Sequence, residues 1–443
     1  MAPDSILTSS PAGIGEEMHE FLRRLYPICR SITGDGLRTT LRMLGDDLPL
    51  TIHEVPSGTP VLDWTVPDEW NIREAYIERE SGERVVDFAE HNLHVVQYSV
   101  PVDCVVPIDE LRRHLHFLPE APDWIPYRTA YYARTWGFCV TQRQAAALSD
   151  PYYRVRIDST LAPGHLSYGE LFVRGATEDE MLISVHCCHP SLANDNLSGM
   201  VVARALARWL LDRPRRLSYR FLFIPGTIGS ITWLARNEER LAHIKHGLVL
   251  SCLGDRGNLT YKKSRRGDAM VDRVASHVLS HHAEGHRVLP FIPYGYDERQ
   301  YCSPGFNLPV GCLMRSPNGT FPEYHTSADD PAFVEQEYLL DSLRALQRIV
   351  DVLEHNGVFR NTSPKGEPQL GRRGLYRPIG GQQDAAEYDQ LVLLWVLNLS
   401  DGTHSLLDVA ERAGEPFGKV KAAADALCRA GLLEPELGGE SGR

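Results

Sequence analysis

The chain predicts an α/β protein with a mostly parallel sheet covered by helices, a β-rich region before most of it, and a small winged-helix block at the end. Three observations carry this. Between 180 and 355, apolar strand runs alternate with helical runs, the rhythm of strand–helix–strand units in a parallel sheet. From about 50 to 175, short alternating runs sit between Gly, Pro and Asp breaks, which is strand texture. After a Gly-, Pro- and Arg-rich stretch at 356–383 come three short amphipathic helical runs closing in Gly-Leu-Leu, a winged helix-turn-helix pattern.

In chain order, residues 15–46 predict helix: EEMHEFLRRLYPICRSI, a Thr-Gly-Asp-Gly break, then LRTTLRML. LHVVQYSV, YRTAYYARTWGFCV, YYRVRIDS and YGELFVRG supply the β-rich region. The strand MLISVHC leads to the helix GMVVARALARWLLD, the strand YRFLFIPG to the helix SITWLARNEERLAHI, and HGLVLSCLG is the next strand. Sheets of this kind place their sites at the carboxyl ends of the strands. The final helices are EYDQLVLLWVLNL, THSLLDVAERAG and FGKVKAAADALCRAGLLEPE.

At 443 residues the chain is too long for one ordinary core. Its 43% hydrophobic and 23% charged residues are those of a globular protein. A net charge of −12 argues against a broad nucleic-acid surface. Residues 384–436 hold ten acidic groups against four basic ones, so the final block suits packing or protein contact better than DNA. No apolar run reaches the roughly 18 residues that span a bilayer. The N-terminus lacks a basic segment followed by an apolar one, so a cytoplasmic location is expected. Nine cysteines without a scaffold spacing are expected as thiols.

The stretch HCCHPSLANDNLSG, His186 to Gly199, carries the chemistry. A zinc finger needs a second ligand pair within finger distance, and none follows. Adjacent Cys187 and Cys188 close on each other only with strain. His186 stands at the carboxyl end of a predicted strand, Asp195 at the start of the next helix, and a further histidine, His325, lies in PEYHTSADDP. Two histidines and an aspartate with an open fourth position make a catalytic-type zinc set. The plainer reading, polar strand-end residues followed by a turn, stays open on these residues alone.

LYPICRSITGDGLRTTL, VPSGTPVLDWTVPDEWNIREAYI, HCCHPSLANDNLSG, SRRGD, DERQYCSPGFNLPVG and PEYHTSADD together resemble segments of a family of bacterial aminopeptidase-like proteins of largely unassigned function, related to the co-catalytic zinc aminopeptidases and to glutaminyl cyclases. The resemblance covers nearly the whole length. It implies a zinc-aminopeptidase-like three-layer domain formed by 1–58 and 156–355, a β-rich insertion at 59–155, a linker or arm at 356–383, a winged helix at 384–436 and a tail at 437–443. It also implies His186, Asp195 and His325 as metal ligands, Asp195 matching the aspartate that bridges two zincs in the aminopeptidases.

Departures from the family pattern qualify this. Cys252 stands near the second-metal aspartate, with Asp255 three residues on, which implies one zinc ion rather than two. Cys188 replaces the aspartate that orients the ligand histidine, so His189 becomes a candidate to support that histidine in its place or to bind the metal. Gly226 in FLFIPGTIGS stands where relatives carry a glutamate, the metal ligand and general base of the wider group. Glu323 is the first choice to replace it, with Glu298, Asp297 and Asp255 behind. Tyr296 stands where relatives carry a small Ser and would reshape the substrate pocket.

Other residues have two readings each. Arg265 is a two-point clamp for a substrate carboxylate or a surface charge. Tyr324 and Tyr301 line the pocket or pack. Cys302 has no histidine at a spacing that would activate it. Trp64, Trp70, Trp124 and Trp136 are read as core of the insertion. The implied function is a zinc-dependent aminopeptidase-like hydrolase or acyl-transfer enzyme acting on an amide bond of a small peptide or aminoacyl conjugate. The alternative is a catalytically degenerate relative that binds a small ligand or a protein. Neither a membrane nor a nucleic acid is an expected partner, and strand edges of the insertion would suit a homodimer.

Overall fold

The computed structural model describes residues 11–282, 284–375 and 389–436. Residues 1–10, the arm's 376–383, the first five residues of the predicted winged block and the 437–443 tail lie outside the described residues. The described residues form two compact units, one within 1–269 and 287–344 and the other within 270–286 and 345–443.

The first unit is built on an eight-stranded mixed sheet. Its centre is parallel: Ser218–Ile224, Glu180–His186, Ile244–Leu250 and Val310–Met314 lie side by side in that order. Every residue of Glu180–His186 and Ser218–Ile224 is buried, which explains runs such as MLISVH and YRFLFI, since a strand covered on both faces needs no polar alternation. Antiparallel strands Thr51–Pro56 and His165–Val173 extend one side. Because the central strands are parallel, His186, Ile224, Leu250 and Met314 all end at one edge. That edge carries the site.

The helix Gly199–Leu211 follows the first of these ends as predicted. The next predicted helix divides into Ile228–Arg236 and a 3₁₀ turn Glu238–His243. At the N-terminus, Pro11–Leu25 stops short of the predicted Ile32 and the helix resumes only at Asp35–Gly45. The reason is Pro27, which lacks an amide donor and biases Tyr26 away from helix.

Within 59–155 and just beyond it, Glu69–Glu78, Arg84–Asp87, Val102–Pro107 and Tyr152–Ala162 form a four-stranded antiparallel sheet. Trp70 is core here, stacked on Tyr98 and donating its indole N–H to the Ser99 carbonyl. Trp64 is not: it is 48% exposed, on a two-residue strand against Tyr132. Its hairpin partner Val61 is the buried one.

In the second unit, Val358–Asn361 is the middle strand of a three-stranded sheet, between Asp401–Ser405 and Leu433–Pro435. The start of the predicted arm is therefore part of the winged fold; its β-prone Val-Phe was masked by the Gly, Pro and Arg that follow. The predicted THSLLDVAERAG helix begins at Leu406, because Ser405 and Asp408 form a capping box that fixes its start. All nine cysteines are free thiols. No helix among the described residues is long and apolar enough to cross a membrane.

Candidate metal centre

His186 is the last residue of its strand, paired in register with Ile224. The loop after it is held by its two asparagines. Asn194 donates to the Asp255 carboxylate at 2.7 Å and accepts from the Gly254 amide at 3.0 Å. Asn196 donates to the Leu250 carbonyl at 2.8 Å, accepts from the Cys252 amide, and faces His186 Nδ1 at 3.3 Å. A Cβ at Gly199 would lie 2.8 Å from the Leu250 carbonyl oxygen, so the helix starts on glycine. The Asn-Asp-Asn pattern is thus a brace on the neighbouring strand end, with Asp195 between its two arms.

Asp195 stands between two imidazoles. Its Oδ1 is 2.8 Å from His186 Nε2 and its Oδ2 is 3.0 Å from His325 Nε2. Burial pushes its carboxyl up, yet the surrounding His189, His186 and His325 outweigh this and hold it well below the usual carboxylate range. Asp329 caps the loop, accepting the Asn194 amide at 2.5 Å and the Asp195 amide at 2.9 Å. Burial pushes the Asp329 carboxyl up to about 8, against these donors, which favour the anion. Asp329→Ala strands both buried amides. It is expected to cost about 2–4 kcal/mol in urea unfolding, since each orphaned donor costs about 1–3 kcal/mol; a loss below 1 kcal/mol would show that the loop re-pairs.

His325 arrives from 130 residues away with a left-handed backbone, φ 57°, a conformation that costs a non-glycine residue about 1 kcal/mol or more. The Ile125–Tyr127 segment holds it there. The Tyr127 amide donates to the His325 carbonyl at 2.8 Å, and Ile125 and Ser327 bond each other in both directions. The Tyr127 ring stands edge-on to His325 and His189, centroids 5.1 and 5.0 Å apart. Tyr324 stacks on His325 at 3.9 Å. With its side chain 33% exposed, His325 is the cluster's solvent-facing member. His189 is buried, and Arg30, itself buried, donates from Nε to its carbonyl at 2.9 Å. Sequence reasoning missed Tyr127 and Arg30, which carry no local signal of their role.

Gly226 follows the strand beside His186, and a Cβ there would lie 1.9 Å from Tyr296 Cε1 and 2.6 Å from Cζ. The tyrosine occupies the space of any side chain at 226. Its hydroxyl donates to the Gly226 carbonyl at 3.2 Å and lies 3.5 Å from Cys188 Sγ. Its ring is 4.0 Å from that of His186, centroid to centroid. Burial pushes the Cys188 thiol up to about 12. Gly226 and Tyr296 are one packing unit.

The remaining candidates are spread around this cluster. Glu298 is buried and bound to Lys262 Nζ and the Tyr296 amide. Asp297 accepts from Ser230 at 2.9 Å while its other oxygen is buried without a partner; burial pushes its carboxyl up to about 8. Asp255 takes four donors, from Asn194, Gly257 and both the amide and hydroxyl of Ser316. Glu323 is half-buried and lines a recess of about 470 Å³ with Phe321, Phe333 and Asp255. Arg265 is exposed and bonds Asn307. Tyr301 packs in the core against Ser184 and Trp233, and Cys302 is buried. A separate recess of about 410 Å³ opens at the other end of the strands, around Arg220, which is paired with Glu170 and Glu180.

The His186, Asp195 and His325 donors are nitrogen and carboxylate oxygen, the set zinc takes. They sit beside the buried His189, whose Nδ1 has no hydrogen-bond partner. On donor chemistry the residues fit such an ion.

Residues 19–356 match a family described as "Domain of unknown function (DUF4910)", and residues 357–435 match a winged helix-turn-helix family. A Clostridium acetobutylicum protein is 50% identical over 420 residues, covering 95% of this chain and 96% of its own; it is provisionally named a polysaccharide biosynthesis protein with aminopeptidase-like domain. A solved Clostridium acetobutylicum structure, provisionally a peptidase, shares 47% identity with TM-score 0.92, over 96% of this chain and 97% of that one. A zinc aminopeptidase of Bacillus subtilis has TM-score 0.57 at 12% identity, over 79% of this chain and 96% of its own. That likeness is one of fold. The fold is thus aminopeptidase-like, with a mixed central sheet and a C-terminal winged helix.

Proposed function

The chain belongs to the DUF4910 family, and from that membership and the aminopeptidase-like fold we propose that it is a zinc-dependent amide hydrolase or acyl-transfer enzyme with one metal ion. The observation that carries the reading is Asp195 shared by two imidazoles from separate strand ends and loops. A zinc ion held by His186, Asp195 and His325 would polarise a scissile carbonyl and lower the pKa of a bound water. The Asp329 cap and the two asparagines fix Asp195. Tyr127 and Tyr324 wall His325 and exclude water from one side of it.

Glu323 is the proton carrier we favour. Glu298 is committed to Lys262 and Asp255 to four donors, whereas the Glu323 carboxylate makes no hydrogen bond to the described residues. The substrate we propose is a small peptide or aminoacyl conjugate. The relative's name adds a saccharide context, in which the same chemistry would open the amide of an N-acylated amino sugar. Tyr296 filling the place of a side chain at Gly226 favours a second reading, a degenerate enzyme that binds a small ligand or protein without turnover. For the winged unit we propose a packing or protein-contact role: Lys419 and Lys421 of its last helix are paired with Glu415 and Asp425 rather than free for phosphates.

Metal analysis of the purified protein, with aminoacyl anilides and N-acyl amino sugars as substrates, tests these together. The expected result is one zinc per chain and turnover abolished by chelation. Glu323→Gln should then lower kcat about 10²–10⁴-fold, the usual loss of a positioned acid–base group. One zinc without turnover on any amide would select the binding reading, and no zinc uptake would sink the metal reading altogether.

A further inference from the structure

We propose that His189 is itself a metal ligand, grouped with His186 and Asp195. The inference rests on the metal reading above and goes beyond its ligand set. Ligand atoms of His186, His189 and Asp195 lie within 4.8 Å of one another, all three residues buried. The His189 ring centroid is 4.8 Å from that of His186 and 5.1 Å from that of His325. It completes a ring of imidazoles around Asp195.

Three features argue against a merely packed histidine. Its Nδ1 is buried with no hydrogen-bond partner; a buried polar atom left in that state costs about 1–3 kcal/mol, and native structures tolerate few of them. Its backbone is held independently of the ring, by the Arg30 guanidinium on its carbonyl. Its ring is confined by Tyr127 edge-on on one side and Tyr296 on another, centroids 5.0 and 5.8 Å away. The side chain is aimed inward and kept there by parts of the chain far from it in sequence. An imidazole without a protein partner beside two others and a carboxylate matches what a borderline-soft divalent cation takes. Magnesium and calcium, which take oxygen, are mismatched to it.

The consequence is selectivity. An ion held by His186, His189 and Asp195 would have three protein donors and room to polarise a carbonyl or a water. His325, on the other oxygen of Asp195 and 33% exposed, marks the solvent side of that group.

The test uses the full chain, metal-free and then titrated with zinc or cobalt(II). His189→Ala should weaken zinc binding by about 100-fold or more, beyond the 10–100-fold typical of residues that merely support a ligand. It should also change the ligand-field absorption of the cobalt(II) form. His189→Gln, which keeps bulk and polarity, guards against loss of folding: its metal-free melting temperature should match the wild type while its cobalt spectrum shifts. Magnesium should not compete with zinc in the wild type. Wild-type zinc affinity and an unchanged cobalt spectrum in both variants would overturn this inference and leave the metal reading standing. Failure of the wild-type protein to take up zinc or cobalt would overturn both.

Discussion

Gly226→Glu alone is expected to destabilise the protein by about 3 kcal/mol or more, at the upper end of what overpacking costs. The Cβ alone would lie 1.9 Å from Tyr296 Cε1, and the phenol has nowhere simple to go. Its hydroxyl is bonded to the Gly226 carbonyl and its ring lies over His186. Tyr296→Ser alone removes a large ring from the same spot and is expected to cost about 2–4 kcal/mol as a cavity. The double variant should cost less than the sum by about 0.5–3 kcal/mol, the range of coupling for residues in direct contact. Urea denaturation of the four proteins measures this cycle. Additive losses would mean that the ring leaves without cost and that the two positions are not one unit. A practical consequence follows: placing a carboxylate at 226 is a fair test of lost catalysis only in the Tyr296→Ser background.

Asp195→Ala is expected to abolish metal uptake and any turnover that depends on it. Among the described residues, Asp195 is the carboxylate that both His186 and His325 bond, and removing a direct ligand is expected to exceed the 10–100-fold loss seen for supporting residues. The readout that separates this from unfolding is stability with and without zinc. Zinc at 100 times its dissociation constant stabilises a one-site protein by about 2.7 kcal/mol. The wild type should show that gain and Asp195→Ala should not. Metal-free stability should change less, because the variant loses hydrogen bonds but also loses a buried charge, two effects of opposite sign. A variant that still gains stability from zinc would show that the histidines bind without Asp195.

Much of this was legible along the chain. The strand ending in His186, the helix beginning at Gly199 and the parallel rhythm after 180 follow from local hydrophobic runs and punctuation. Local pattern failed where a neighbour overrode it. Val358–Asn361 reads as linker but is the middle of a sheet whose partners lie some 40 and 75 residues on, a pairing that no short window contains. The N-terminal helix ends early at Leu25 because Pro27, visible in the sequence, lacks an amide donor and turns Tyr26 away from helix.

The sequence by itself determined the α/β architecture and the residue types able to hold a metal, since periodicity and side-chain chemistry are properties of short stretches. Only the tertiary structure decided which of them meet. Tyr127 reaches His325 and His189 from a distant part of the chain, Arg30 holds the His189 carbonyl from near the first helix, and Tyr296 fills the space of Gly226 from 70 residues away. Close packing is a relation between surfaces brought together by folding, and no spacing along the chain records it.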